Sequence, residues 1–128
     1  MGAIVVVTTV GEEARALVIA RELVARRLAA CVNVVPGMRS VYRWQGKICR
    51  DTEYLLMVKT LSEEFEAVAA AIRELHSYEL PEILAFEVGF GDDRFLGWIR
   101  DAVDKSRPLP VEEEEAEEVG VDFDDTAF

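Results

Sequence analysis

The sequence predicts an α+β domain in the order β-α-β-β-α-β, followed by a third helix. Three observations carry that expectation. A continuous β-branched run stands at residues 4–7, two stretches (12–30 and 63–76) repeat apolar residues at helical spacing, and between them residues 31–60 alternate as a paired ribbon.

Taken in order, residues 3–9 (Ile4, Val5, Val6, Val7) read as a strand buried on both faces. Gly11 breaks it, and Glu12-Glu13 suits a helix N-terminus. Across 12–30, Ala14, Leu17, Val18, Val24, Ala25 and Leu28 form the expected inward face, and Arg15, Glu22 and Arg26 the wet one. Arg26-Arg27 near the end suits the negative pole of that helix.

The ribbon is the most informative stretch. In its second arm Ile48, Tyr54, Leu56 and Val58 share one parity, while Cys49, Asp51, Glu53, Leu55, Met57 and Lys59 share the other. Gln45-Gly46 fits a two-residue turn, which sets Tyr42 opposite Cys49, Arg43 opposite Ile48 and Met38 opposite Glu53. Pro36-Gly37 in the first arm implies an edge strand or a bulge. Each arm reaches about 14 residues, roughly 45 Å at ~3.3 Å per residue, where strands usually run to about 5–6. One small domain cannot cover both faces of such a ribbon. Val41, Tyr42, Trp44 and Ile48 at its far end are therefore expected to pack on other copies of the chain; a hairpin bent back at Pro36-Gly37 is the alternative.

Thr60-Leu61-Ser62-Glu63 reads as a capping box opening a helix over 63–76, with Phe65, Val68, Ala69, Ile72 and Leu75 inward. Pro81 ends the following turn. Residues 82–88 read as a final core strand, and Asp92 or Asp93 caps a helix carrying Phe95, Leu96, Ile99 and Val103. This order is the split βαβ, ferredoxin-like pattern, which places both main helices on one face of a four-stranded antiparallel sheet and leaves the other face open.

With 128 residues and 51% hydrophobic composition, one globular domain is expected over 1–107. Residues 108–128 form an acidic tail: from Val111 onward nine acids occur with no base, so the net charge of −11 belongs largely to it. Removing those nine from the 25 acids leaves 16 against 14 bases, a balance that argues against nucleic acid as a partner. No apolar run approaches a membrane span, and Met1-Gly2-Ala3 lacks the basic lead of a signal peptide; the cytoplasm is the expected compartment. Cys31 and Cys49 make neither a disulfide framework nor a zinc knuckle.

His76 is the only histidine, flanked by Tyr78, Glu79 and Glu82. It reads either as a cap on the carbonyls of its own helix or as a metal ligand. Asp51 and Glu53 share a strand face and are either surface charges or a pair for a cation or a proton. Lys59 shares their parity about 20 Å from Glu53, too far to pair with it in one chain, and is a weak candidate for an anion. No nucleophile with an adjacent base and no phosphate-cradling loop is present, so catalysis is not expected.

Ala30-Cys31-Val32-Asn33, Pro36-Gly37, Tyr42 through Ile48, Glu53, Lys59-Thr60 and the run from Glu74 to Ile83 together resemble the CutA divalent-cation tolerance proteins, over residues 4–103. The resemblance implies a ferredoxin-like homotrimer, similar in architecture to the PII signalling proteins, whose long hairpins build the inter-subunit sheets. It implies copper or another divalent cation as ligand, with none required for folding. By position it implies His76 as the metal ligand and Tyr42, Trp44, Glu53, Lys59, Tyr78 and Glu82 as residues of the cleft between subunits. Thr8 stands where some members carry a cysteine, which weakens a thiolate site, and Ser77 replaces a more usual proline. A PII-like sensor binding a small anion in that cleft is the alternative function.

Overall fold

The computed structural model describes residues 2–109, so the acidic segment from Pro110 onward lies outside the described residues. Four strands form one antiparallel sheet: β1 (Ala3–Val10), β2 (Cys31–Trp44), β3 (Lys47–Leu61) and β4 (Leu84–Glu87), in the order β2-β3-β1-β4. Helices α1 (Glu13–Ala25) and α2 (Phe65–Leu75) cross one face; α3 (Asp93–Val103) follows the last strand. This is the expected ferredoxin-like arrangement.

The hairpin register is the one the alternation predicts, with Met38 opposite Glu53, Tyr42 opposite Cys49 and Arg43 opposite Ile48. Gln45 and Gly46 close it with φ of 49° and 79°, both left-handed, as a tight turn with the twist of its strands requires. The ladder shifts between Val35 and Met38, where Gly37 takes φ of 75° and Pro36 has no N–H to give. That bulge reverses the parity of β2. Cys31, Asn33 and Val35 share the face away from the helices, and beyond the bulge Met38, Ser40, Tyr42 and Trp44 carry it on.

The main core lies between sheet and helices. Ile4, Val6, Val10, Leu56 and Val58 meet Ala16, Ile19 and Leu23 of α1 and Val68, Ala71 and Ile72 of α2. The expected inward face of α1 is corrected here: Leu17, Val18 and Val24 are exposed, Leu17 by 52%. The helix is apolar on nearly every side, so its spacing supports two faces, and packing selects the one holding Ile19 and Leu23. It also ends at Ala25, five residues early, because Arg27 turns left-handed at φ 59°. Arg27 then serves another helix: its guanidinium donates to the carbonyls of Asp101 and Ala102 in the last turn of α3, and to that of Arg107. Arg26 bridges α1 to α2 through Glu22 and Glu74.

Three further expectations change. The capping box does not form. Thr60 remains in the β1–β3 ladder and its hydroxyl donates to Leu28 O, while Ser62–Glu64 make a 3₁₀ turn before α2. β4 is shorter than 82–88 and is an exposed edge rather than a core strand, with Phe86 57% exposed. The open sheet face is not bare, since Ile99 of α3 packs on Ala3 and Ala30, with Leu61 and Leu96 alongside. Asp92 caps α3 as expected, accepting from Phe95 N–H at 2.9 Å.

The two candidate faces of α1 differ in what truncation should cost. Leu23→Ala is expected to lower unfolding free energy by about 2–5 kcal/mol. Leu17→Ala should stay within about 0.5 kcal/mol, the range of ordinary surface changes. Urea unfolding of both variants at one fixed protein concentration checks this; equal losses would restore the discarded face.

Candidate functional site

The distal half of the hairpin and the turn after α2 together enclose an open groove of about 730 Å³. Its carboxylates are Asp51, Glu53, Glu79 and Glu82, and its aromatic walls are Tyr42, Trp44 and Tyr78. Ser40, Ser77 and Thr9 add small polar groups, Val41 and Leu80 aliphatic ones. Among the described residues no basic side chain is on the lining.

His76 organises the turn. It is the C-cap of α2, where the backbone leaves the helix at φ −80°, ψ 147°, and its N–H closes on Ile72 O. The ring does not bond the loose carbonyls of its own helix, as a capping histidine would. Nδ1 accepts from Tyr78 N–H at 3.0 Å, so the neutral ring carries its proton on Nε2, which donates to Thr9 O of β1 at 2.8 Å. One imidazole thus pins the turn to the central strand and sets where Tyr78 begins. The Tyr78 ring lies 4.6 Å from the imidazole, and its hydroxyl donates to Glu53 Oε2 at 2.8 Å. Gly11 makes room for this: a Cβ there would stand 2.9 Å from the Tyr78 oxygen.

On the hairpin, Tyr42 donates its hydroxyl to Asp51, two places along the same face. That bond, then burial, pushes the Tyr42 phenol up to about 12. Burial first, then the bond to Glu53, raises Tyr78 as well. Both phenols are therefore neutral donors at physiological pH. Desolvation lowers the His76 pKa, partly opposed by the Thr9 carbonyl and the Glu53 charge, with Arg15 lowering it further.

Of the residues singled out in the sequence, Tyr42, Trp44, Glu53, Tyr78 and Glu82 come together on the groove, and His76 stands behind Tyr78. Lys59 does not line the groove of its own chain. It sits opposite Cys31 and Val5, with Nζ 5.8 Å from the Phe95 ring centre. Thr8 is fully buried on the helix side of the sheet, opposite Leu56, and its hydroxyl finds no partner among the described residues. Ser40, Leu80 and Thr9 were not marked by sequence; a register argument could have found Ser40, opposite Asp51. No group of three or more metal-ligating side chains converges among the described residues, so a metal would need further ligands at His76 and the opening of one of its two bonds.

Because folding depresses the His76 pKa, the unfolded chain takes up the proton first. The stabilisation is whole above the ordinary histidine value of about 6.5 and declines as pH falls below it. Protonation also breaks the Tyr78 N–H···Nδ1 bond, since a charged ring has no acceptor. The melting temperature of the wild type should fall between about pH 7 and 5.5, the histidine range, more than that of His76→Gln. Parallel slopes in differential scanning fluorimetry would remove His76 from this role.

Known proteins bear on this geometry. The family model described as "CutA1 divalent ion tolerance protein" matches residues 4–102. The divalent-cation tolerance protein CutA of Thermus thermophilus is 46% identical over 97 residues, 76% of this chain and 94% of that one. A CutA homologue of Xenopus laevis is 46% identical over 85 residues, and the match spans 56% of its length. Among solved structures, Cut A1 of Thermus thermophilus superposes with a TM-score of 0.76 at 45% identity, covering 78% of this chain and 97% of that one. CutA of Xylella fastidiosa gives 0.79 at 38%, covering 81% and 100%. The match over residues 4–102, the identity and the common fold together show that the chain belongs to the CutA1 divalent ion tolerance protein family.

Proposed function

We propose that this protein is a homotrimer that binds a divalent cation, copper(II) foremost, at the His76 end of the groove, and that it works in the cytoplasm as a binding protein rather than an enzyme. The observation that carries the proposal is the sign of the groove: four carboxylates, no basic lining residue among the described residues, and beside them the only imidazole in the chain. Neutral histidine with carboxylates suits a borderline ion such as copper(II). The names of the relatives, divalent-cation tolerance proteins, support the same class of ligand.

The trimer is supported by what the single chain leaves uncovered. Val41 and Ile48 are each 67% exposed at the far end of the hairpin, and among the described residues β2 and β4 are the two edges of the sheet. Such surfaces call for a partner. Two free thiols, Cys31 and Cys49, suit a reducing compartment.

Two measurements test the proposal. Copper(II) titration followed by calorimetry should give an affinity at least about tenfold weaker for His76→Ala than for wild type, a loss of ~1.4 kcal/mol or more. Equal affinities would place the metal elsewhere. Multi-angle light scattering should find a trimer for wild type and smaller species or aggregates for Trp44→Asp; an intact trimer in that variant would count against the hairpin end as the interface.

A further inference from the structure

We infer that α1 carries a second docking face, on the side away from the sheet, and that residues 110–128 of this same chain cover it. The inference does not rest on the metal reading.

The helix itself is the first argument. Ala16, Ile19 and Leu23 are buried in the core with the sheet and α2. On the opposite side Ala14, Leu17, Val18, Arg21, Val24 and Ala25 recur at the spacing of a helix face built to be packed against. Leu17, Val18 and Val24 are nonetheless 52%, 46% and 41% exposed. The stripe points away from the sheet, whose edges and far hairpin end are the surfaces left to neighbouring subunits. The proposed trimer leaves it open.

The path of the chain is the second argument. Beside the C-terminal end of the stripe, α1 and α3 flank a hollow of about 450 Å³. Val24, Trp98, Ala102 and Leu109 make its apolar wall, and Arg27 and Arg107 line it as well. Leu109 thus already lies at the hollow, and Pro110 leaves from there. Val24 and Leu17 stand roughly 10 Å apart along the helix at ~1.5 Å per residue. The 19 residues from Pro110 to Phe128 can extend to about 60 Å, so the reach is ample.

Charge and composition are the third argument. Residues 110–128 hold nine acids and no base, with Val119, Val121 and Phe123 at alternate positions among them. From Glu13 to Arg27, α1 and the turn after it carry four arginines against two glutamates. Arg27 gives its N–H groups to carbonyl oxygens, which carry no formal charge. An acidic segment with apolar residues therefore complements a basic helix with an apolar stripe. A second copy fits less well, since a twofold contact through the stripe would set the two Arg21 side chains against each other near its centre.

The test follows cleavage of the full chain by a glutamate-specific protease after Glu117 and Glu118, read by mass spectrometry against a free peptide of residues 108–128. A covered segment is cut only while released, so cleavage should be at least about tenfold slower in the chain than in the peptide. Val18→Glu with Val24→Glu, two exposed helix positions, should restore the rate of the peptide while circular dichroism stays unchanged. Val121→Ser with Phe123→Ser should do the same relative to its own peptide. That pair leaves residues 2–109 untouched, and it decides the question if the helix variant loses its fold. Equal rates for the wild-type chain and its peptide overturn the inference, as does protection that survives in the Val121→Ser, Phe123→Ser chain. Protection that grows with protein concentration, or a smaller assembly of the helix variant by light scattering, puts a second copy on the face and overturns it too.

Discussion

The rest of the molecule depends on a backbone ladder that outruns its own core. β2 and β3 pair along 14 and 15 residues, but α1 and α2 cover only the half nearest β1. Past the bulge at Pro36-Gly37 the hairpin has hydrogen bonds without a hydrophobic layer beneath it. A two-stranded ribbon alone is marginal in water. Its free half must gain stability from whatever lies against its faces, and one face carries Tyr42, Trp44, Asp51 and Glu53. The same extension that makes the hairpin need neighbours also builds the wall of the groove.

Much of this was legible in the residues, for local reasons. Strand alternation has a period of two, so one correct turn at Gln45-Gly46 fixes every pair along the ribbon. Pro36-Gly37 announced its bulge because proline has no N–H and glycine tolerates positive φ. What was not legible was any choice between equivalent surfaces. In α1, Ala14, Leu17 and Val18 are as apolar as Ala16 and Ile19, and only the packed sheet separates them. In β4, Leu84 and Phe86 resemble core residues because sequence records that a side chain is apolar, not whose core receives it. Thr60 satisfied a capping pattern but found a better acceptor in Leu28 O, a partner 32 positions away.

The site shows the same division. Tyr42, Glu53, Tyr78 and Glu82 could be named from motif resemblance, and the fold brings them together. The role of His76 could not be read from its position. It stands at a helix C-terminus, where loose carbonyls are the nearest acceptors, yet its ring reaches Thr9, a contact 67 positions away in sequence. Arg27 is a similar case. Beside Arg26 it looks like a charge placed for its own helix, but a left-handed turn sends it to the last carbonyls of α3. Both residues work across the tertiary structure, through backbone oxygens that no side-chain pattern encodes.

The sign of the groove follows from placement rather than from net charge. Nine of the 25 acids lie beyond residue 110, and the remainder nearly balances the bases. The local field comes from the carboxylates that the hairpin and the turn after α2 bring to one hollow. The phenol of Tyr78 binds these two elements by donating to Glu53, and the Tyr78 backbone is held by His76, which is held in turn by β1. A negative hollow assembled by neutral donors keeps its full charge for an incoming cation. Had a lysine stood where Tyr78 stands, the same turn could be anchored, but one of the four carboxylate charges would be offset.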